Sequence, residues 1–280
     1  MSTNQIITKA SGEQTTFDVQ KLRNSLAKSG ADDETIDSIV ASVSERLYER
    51  IATKEIYAMA FSMLREIGKK PFAAKYKLKN ALMELGPSGY PFELYFAELL
   101  KHQGYKVQVS VILNGLCVTH EIDVLASIKN ELNFIECKYH NSRGVVTDVK
   151  TPLYIKSRFE DVRNAQMLLP ENKGKVMTGW VVTNTHFSDD AIAFGTCSGL
   201  KLLGWNYPEG KSLREHIDRT GLHPITSFTT LSKAEKSDLL DLKVVLCKDI
   251  VESPELLASI NIPRHRIHKI MEEAKYLSMK

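Results

Sequence analysis

The sequence predicts a multidomain protein of the α/β and α classes, and three observations support this. The stretch GPSGYP at residues 86–91 holds two Gly and two Pro, so it cannot continue a helix and separates two segments. After it, helical and strand patterns alternate as in a mixed α/β core. No strand pattern follows Pro224. We therefore predict an N-terminal domain at 1–86, an α/β core at 87–222 and a small helical domain at 223–280.

The N-terminal segment predicts a β-hairpin followed by four helices. Residues 5–17 alternate weakly around a turn at Gly12, as hairpin strands do. Helix caps and apolar spacing then predict four helices: one capped by Asp18, one along the stripe from Ile36 to Ile51, one capped by Thr53, and one from Pro71 to about Leu85.

The middle segment predicts a mixed sheet with helices between its strands. A helix ends at Gly104, and the alternation from Tyr105 to Leu113 is typical of a half-buried strand. Two more strands carry the central motif described next. The later elements are a helix at about Pro152–Leu169, a strand at Trp180–Thr183, a helix at Asp189–Cys197, a strand at Lys201–Gly204 and a helix begun by the Ser212 and Glu215 capping box.

Three charged residues lie inside strands that otherwise look buried. Asp123 belongs to one strand, and Glu136 and Lys138 belong to the next, within the run FIECK. Core strands rarely carry unpaired charges, because desolvating them is unfavourable. Glu136 and Lys138 are two residues apart and therefore share one face of their strand. Either these residues form a site, or Lys138 makes a buried ion pair with Glu136 or Asp123.

Two carboxylates and a lysine on adjacent strands suit phosphodiester hydrolysis. Asp123 and Glu136 offer the oxygen ligands that Mg²⁺ prefers, and the main-chain carbonyl of Cys137 could add another. Lys138 could orient the attacking water or neutralise charge on the phosphate. Glu121, two residues before Asp123, would point to the same face and is either a further ligand or a salt-bridge partner.

This arrangement resembles the PD-(D/E)xK nuclease superfamily, with Glu136, Cys137 and Lys138 as E-x-K. The flanks resemble its Mrr-like restriction endonuclease branch over about residues 88–222. They include a helix with Phe92, Glu93, Glu98, Leu99, Leu100, Gly104 and Tyr105, and the later run WVVTNTHFSDDAIAF. The resemblance implies a restriction endonuclease-like core that cuts DNA, and a metal-assisting role for Glu93. No Pro precedes Asp123, unlike the family pattern.

The N-terminal segment resembles an ATP-cone over about residues 4–85. The resemblance rests on a lysine in the hairpin, the FDxxKL run at residues 17–22 and Thr53 at the third helix. It implies that Lys9 and Lys21 bind the phosphates of ATP or dATP and that Thr53 lies near the base. The family usually has Lys-Arg in the hairpin, whereas Ala10 follows Lys9 here. The alternative is a structural module in which Lys9 and Lys21 are ordinary exposed lysines. The sequence contains no P-loop pattern, so it does not indicate a motor ATPase.

Composition sets broad limits on the class of protein. A net charge of +3 is too small to indicate nucleic-acid binding by itself. The four cysteines form no CxxC pair, which argues against a zinc ribbon, and we expect them to be free and mostly buried. Neither a signal peptide nor an apolar run long enough for a membrane span occurs, so we expect a cytoplasmic protein that does not enter a membrane.

The leading hypothesis from these patterns is a Mg²⁺-dependent DNA endonuclease controlled by ATP or dATP, with a homodimer as the expected assembly. One alternative is a nucleotide-sensing DNA-binding regulator with an inactive core, and another is a structure-specific resolvase or repair nuclease. The last helices, residues 256–274, resemble a helix-hairpin-helix but lack its Gly pair. They either contact DNA or pack in dimerisation or domain docking.

Overall fold

The computed structural model describes residues 5–67 and 70–279. Its chain forms two compact units. The first unit combines Met1–Leu82, His223–Leu239 and Cys247–Met279, and the second combines Met83–Leu222 with Leu240–Leu246. The C-terminal helices thus group with the N-terminal segment, and the division into three domains stays a prediction. Several sheets and many helices make this a mixed α/β multidomain protein.

The first unit opens with a three-stranded sheet and five helices. Strand β1 pairs antiparallel with β2 and parallel with β3, which gives the order β2-β1-β3. As predicted, Asp18 caps the first helix by accepting hydrogen bonds from two backbone N–H groups. The elements are β1 Ile6–Thr8, β2 Gln14–Thr16, α1 Val19–Ala27, α2 Asp33–Glu45, β3 Ile51–Ala52, α3 Thr53–Glu66, α4 Lys70–Tyr76 and α5 Leu78–Met83.

Three predictions for this segment were wrong. The second helix ends at Glu45, and Ile51 belongs to a strand because it pairs with Ile7 of β1, a long-range contact that the apolar spacing cannot show. Thr53 is the first helical residue rather than a cap, since Ala52 precedes the helix and no side chain caps it. The predicted last helix is two helices, because the α-helical run breaks between Tyr76 and Leu78.

The second unit contains a five-stranded mixed sheet of order β10-β8-β6-β5-β4. Strands β4, β5 and β6 pair antiparallel, whereas β6, β8 and β10 pair parallel. A parallel pair β7-β9 lies apart. The elements are α6 Tyr90–Lys101, β4 Lys106–Asn114, β5 Thr119–Ile128, β6 Glu131–Lys138, β7 Val146–Thr147, α7 Lys150–Gln166, β8 Val176–Thr183, β9 His186–Phe187, α8 Asp189–Cys197, β10 Lys201–Leu203 and α9 Leu213–Thr220.

A core between α7 and the sheet holds this unit together. Phe159 and Val162 of α7 pack with Phe134 of β6 and Val181 of β8. Gly179 permits this approach, because a Cβ there would lie 2.8 Å from the Phe159 ring. The predicted capping box of Ser212 and Glu215 is present, with both reciprocal hydrogen bonds.

The described part of the C-terminal region contains three short helices and one of 14 residues, and a buried glutamate of the last helix holds a nearby loop. These helices are α10 Lys233–Asp241, α11 Cys247–Glu252, α12 Leu256–Ser259 and α13 Arg264–Leu277; short 3₁₀ turns occur at Pro170–Asn172 and Ile225–Ser227. Glu273 of α13 is buried and accepts hydrogen bonds from the backbone and hydroxyl groups of Thr229 and Thr230 at 2.6–2.9 Å. One carboxylate therefore accepts four hydrogen bonds and fixes the loop that carries Thr229 and Thr230 against α13.

Two further expectations concern the burial of the cysteines and the absence of a membrane-spanning helix. All four cysteines are free, but only Cys137 and Cys247 are buried, while Cys117 and Cys197 are exposed. The expectation of mostly buried thiols was therefore wrong for half of them. Among the helices of the described ranges, none has the length and apolar character to cross a bilayer.

Candidate functional site

The candidate catalytic residues lie where β5 and β6 stop pairing. The regular ladder between these strands ends at Val124 and Ile135, so the next residues, Asp123 and Glu136, lie at its open end. The Asp123 side chain substitutes for the missing backbone partner, since its Oδ2 accepts a hydrogen bond from the backbone N–H of Cys137 at 2.7 Å. This contact fixes the carboxylate beside β6.

Glu136 is held by two cations, one on each carboxylate oxygen. Lys138 Nζ donates to Oε1 at 2.6 Å, and Arg158 Nη1 donates to Oε2 at 2.8 Å. Arg158, which projects from α7, also donates through Nη2 to the main-chain oxygen of Glu121 at 2.5 Å. The predicted alternative of a Glu136–Lys138 ion pair is therefore present in the structure. The structure adds Arg158 to it.

The site carries more negative than positive charge. Burial, together with the nearby carboxylates of Asp123, Glu121 and Glu136, raises the pKa of Glu93 to about 7, although Lys138 lowers it. Burial and the Glu136 carboxylate together raise the pKa of Asp123 to about 6, although the Cys137 N–H, Lys138 and Arg158 lower it. Four carboxyl groups thus face two cations, a balance that a bound cation would relieve.

All of the predicted catalytic and ligand residues thus belong to one neighbourhood, although they form no ready-made metal cage. Glu93 reaches it from the first turn of α6. Burial raises the pKa of the Cys137 thiol well above its usual value, so this residue offers no thiolate. In residues 5–67 and 70–279, no group of three or more His, Cys, Asp or Glu side chains is arranged to hold a metal ion.

Two histidines near the motif have structural partners. His120 Nε2 lies 2.8 Å from Asp161 Oδ2 of α7, and Asp161 also accepts hydrogen bonds from the backbone N–H groups of Cys117 and Val118. The backbone N–H and C=O of His140 both pair with the Asn184 amide, at 2.9 and 2.7 Å. These contacts give His120 and His140 structural partners within the second unit.

The three residues predicted to bind nucleotide line one cavity in the first unit. This cavity has a volume of about 240 Å³, and Lys9, Lys21 and Thr53 are part of its wall. The hairpin turn is closed by a hydrogen bond from the Lys9 N–H to the Glu13 carbonyl. The Lys9 ammonium pairs with the exposed Glu13 carboxylate at 2.9 Å, while the ammonium of Lys21 lies 3.7 Å from Asp18.

Some residues of these sites were missed by sequence reasoning. Tyr57 and Tyr76 both line the same cavity as Lys9, Lys21 and Thr53, and their rings stack at 4.9 Å between centroids. Arg158 was not predicted as a site residue, yet it lies between Ile155 and Val162 on the inward stripe of α7. A cation in such a stripe was the signal that could have revealed it.

The fold and the N-terminal cavity define a multidomain α/β protein that begins with an ATP-cone, since residues 5–80 match the ATP cone domain family. The chain belongs to the AF1548-like family. Residues 223–278 match the family described as AF1548-like, C-terminal. An uncharacterized protein of Archaeoglobus fulgidus is 35% identical over 180 residues, covering 64% of this chain and 97% of the relative.

A solved structure gives the same relationship. The crystal structure of the protein of unknown function AF1548 has a TM-score of 0.55 and 34% identity, covering 67% of this chain and 97% of that chain. Protein VC1899 from Vibrio cholerae has a TM-score of 0.33 and 15% identity over 75% of this chain and 52% of that one. The second similarity is too weak to support an argument about fold or function.

Proposed function

We propose that this protein is a Mg²⁺-dependent DNA endonuclease with a restriction endonuclease-like core, and that ATP or dATP bound at its N-terminal ATP-cone controls its activity. The carrying observation is the open end of the β5-β6 ladder, where Glu93, Asp123 and Glu136 meet beside Lys138. An excess of carboxylates over cations is a common way to prepare a site for a divalent metal ion.

The donor set fits Mg²⁺ by its chemistry. Asp123 and Glu136, with the Cys137 carbonyl, would hold the ion through oxygen, while Glu93 and Glu121 add negative charge nearby. Mg²⁺ usually keeps several waters and needs only one or two protein carboxylates, so a cage of three side chains is not required. When bound, the ion supplies Lewis-acid activation of the scissile phosphate.

The chain's own residues have separate roles in this proposal. Lys138 provides a positive charge beside the reacting phosphate, where it neutralises charge that develops in the transition state. Arg158 and the Cys137 N–H hold Glu136 and Asp123 in fixed positions. Glu93, whose pKa is about 7, can exchange a proton with water near neutral pH.

A second candidate is a nucleotide-responsive DNA-binding regulator with an inactive core. It is favoured by one observation, namely that both Glu136 oxygens are already engaged by Lys138 and Arg158. In that case the charged cluster serves packing alone. A protein of this kind would bind DNA with unchanged affinity in the presence and absence of Mg²⁺ and would leave it uncut.

Plasmid cleavage in Mg²⁺ separates these candidates. Lys138→Met is compared with Lys106→Met, which removes an exposed lysine at the start of β4. We expect the first change to abolish cleavage and the second to preserve it. DNA binding without cleavage by the wild-type protein would favour the regulator. Cleavage equal in both variants would contradict the assignment of Lys138.

Control by nucleotide is tested on the same plasmid. The cleavage rate is measured with and without ATP or dATP, in the wild type and in Lys9→Ala/Lys21→Ala. We expect nucleotide to change the cleavage rate of the wild type and not that of the double variant, which lacks the two phosphate-binding lysines. A bound effector shifts activity only if it binds two states of the protein differently. A cleavage rate that neither nucleotide changes would remove the regulatory part of the proposal.

The type of DNA substrate is tested separately. Cleavage of methylated and of branched DNA, measured in parallel, distinguishes a restriction activity from a resolvase or repair activity.

A further inference from the structure

A cavity of about 460 Å³ in the second unit has no role in the proposed nuclease function. Phe96 and Leu100 of α6, Trp180 of β8 and Leu202 of β10 form part of its mainly apolar wall. Its volume falls in the range that holds small organic ligands. None of the predicted nuclease residues lines it.

The charged groups of this cavity are all positive. Lys201 and Lys211 belong to its lining, and no Asp or Glu does so among the residues that the structure describes. Both lysines are exposed, and in the same described ranges neither forms an ion pair with a carboxylate. An apolar cavity whose charged lining residues are both lysines complements a ligand with an apolar body and a negative charge.

The indole ring of Trp180 suggests a flat, aromatic shape for the apolar part of the ligand. The indole N–H of Trp180 donates to Asn133 Oδ1 at 3.0 Å, so the donor is used and the ring is held in place. The Lys201 ammonium lies 4.9 Å from the centroid of the same ring. A flat aromatic group can pack on the wall beside Trp180 while its acidic group reaches Lys201.

We propose that this cavity binds a small aromatic anion, meaning a flat ring system with one carboxylate, sulfonate or phosphate group. Phe96, Leu100, Trp180 and Leu202 contact the ring system, and Lys201 and Lys211 bind the acidic group. The site is separate from the Asp123, Glu136 and Lys138 site, and its ligand does not depend on whether DNA is cut.

The experiment uses two fluorescent probes on the full chain. Anilinonaphthalene sulfonate carries the predicted charge, and phenylnaphthylamine has a similar flat body without it. Lys201→Glu is compared with Lys173→Glu, an equal charge change on an exposed lysine outside the cavity lining. We expect Lys201→Glu to weaken sulfonate binding about tenfold and to leave binding of the neutral probe within about twofold. Lys173→Glu should change neither affinity.

A second variant tests the location independently of charge. Thr196 is exposed and lines the cavity, so Thr196→Trp should occupy part of it and weaken both probes. Lys9→Ala/Lys21→Ala should leave both affinities unchanged, because those residues line the other cavity. Thermal unfolding confirms that each variant is folded. The proposal is overturned if no saturable binding occurs, if Lys201→Glu and Lys173→Glu affect the sulfonate equally, or if Thr196→Trp leaves both probes unaffected.

Discussion

Arg158 of α7 and Glu136 of β6 are joined by an ion pair, with Arg158 Nη1 at 2.8 Å from Glu136 Oε2. Their side chains are only 18% and 10% exposed, so water screens this pair weakly. Removing one partner of such a pair leaves the other charge poorly solvated. The pair therefore fixes the position of Glu136 and links α7 to the open end of the ladder.

We predict that Arg158→Met lowers the free energy of unfolding by about 2 kcal/mol, because Glu136 loses a charge-assisted hydrogen bond. The measurement is denaturant unfolding followed by fluorescence. Arg163→Met is the matched control, since Arg163 on the same helix makes only a 3.6 Å contact with the partly exposed Glu160. We expect this control to stay within about 0.5 kcal/mol of the wild type. Equal losses in both variants would show that Arg158 has no special role.

The raised pKa of Glu93 predicts a dependence of stability on pH. The folded state holds this proton up to about pH 7, whereas an unperturbed glutamate loses it near 4.5. The stabilisation is therefore complete below the unfolded pKa and is lost as pH rises through about 7. The free energy of unfolding should fall over this range in the wild type and fall less in Glu93→Gln.

Glu98→Gln provides the control for the pH experiment. Glu98 lies on the same helix and pairs with Lys101 at 2.6 Å, outside the carboxylate cluster. This variant should keep the pH dependence of the wild type. If Glu93→Gln keeps it as well, Glu93 does not hold a proton in the folded protein near neutral pH.

The positions of Lys9 and Lys21 predict that each lysine contributes to the affinity for ATP. Each lysine lines the cavity of the first unit and can contact phosphate, so Lys9→Ala and Lys21→Ala should each weaken ATP binding about tenfold. Titration calorimetry measures this effect. Lys28→Ala removes an exposed lysine just after α1 that does not line the cavity, and it should leave the affinity unchanged. A loss in Lys28→Ala equal to that in Lys21→Ala would contradict the assignment.

Substitution of Ala10 by arginine is expected to increase the affinity for nucleotide. Ala10 follows Lys9 in the hairpin and is exposed, so an arginine fits without displacing core residues. Ala10→Arg supplies a second hairpin cation and should tighten ATP binding about threefold to tenfold. Ala27→Arg, an exposed alanine at the end of α1, is the control and should change little. Equal affinities in wild type and Ala10→Arg would show that a second hairpin cation does not contribute.

Local sequence patterns predicted local structure well. Asp18 and the Ser212–Glu215 box mark helix starts that the structure contains, because capping involves residues close in sequence. The alternation of β4 likewise places its strand correctly. The placement of Lys9, Lys21 and Thr53 on one cavity followed from the resemblance to the ATP-cone rather than from spacing.

Features that depend on distant contacts were not predicted. Ile51 continues a helical spacing, but its pairing with Ile7 makes it a strand residue. Arg158 contacts Glu136 across 22 residues of sequence, and nothing local to either residue specifies that distance. The cavity of about 460 Å³ in the second unit is lined by residues of α6, β8 and β10, which meet only in the folded unit.

The most direct test of the central claim is the rate of plasmid nicking in Mg²⁺ by Glu136→Gln and Glu131→Gln. Both residues belong to β6 and lose the same charge, but Glu131 lies at the opposite end of the strand. The proposed site predicts that Glu136→Gln loses cleavage by at least about a hundredfold, whereas Glu131→Gln cleaves like the wild type. Cleavage by Glu136→Gln at the wild-type rate, in protein shown to be folded and free of other nucleases, would contradict it.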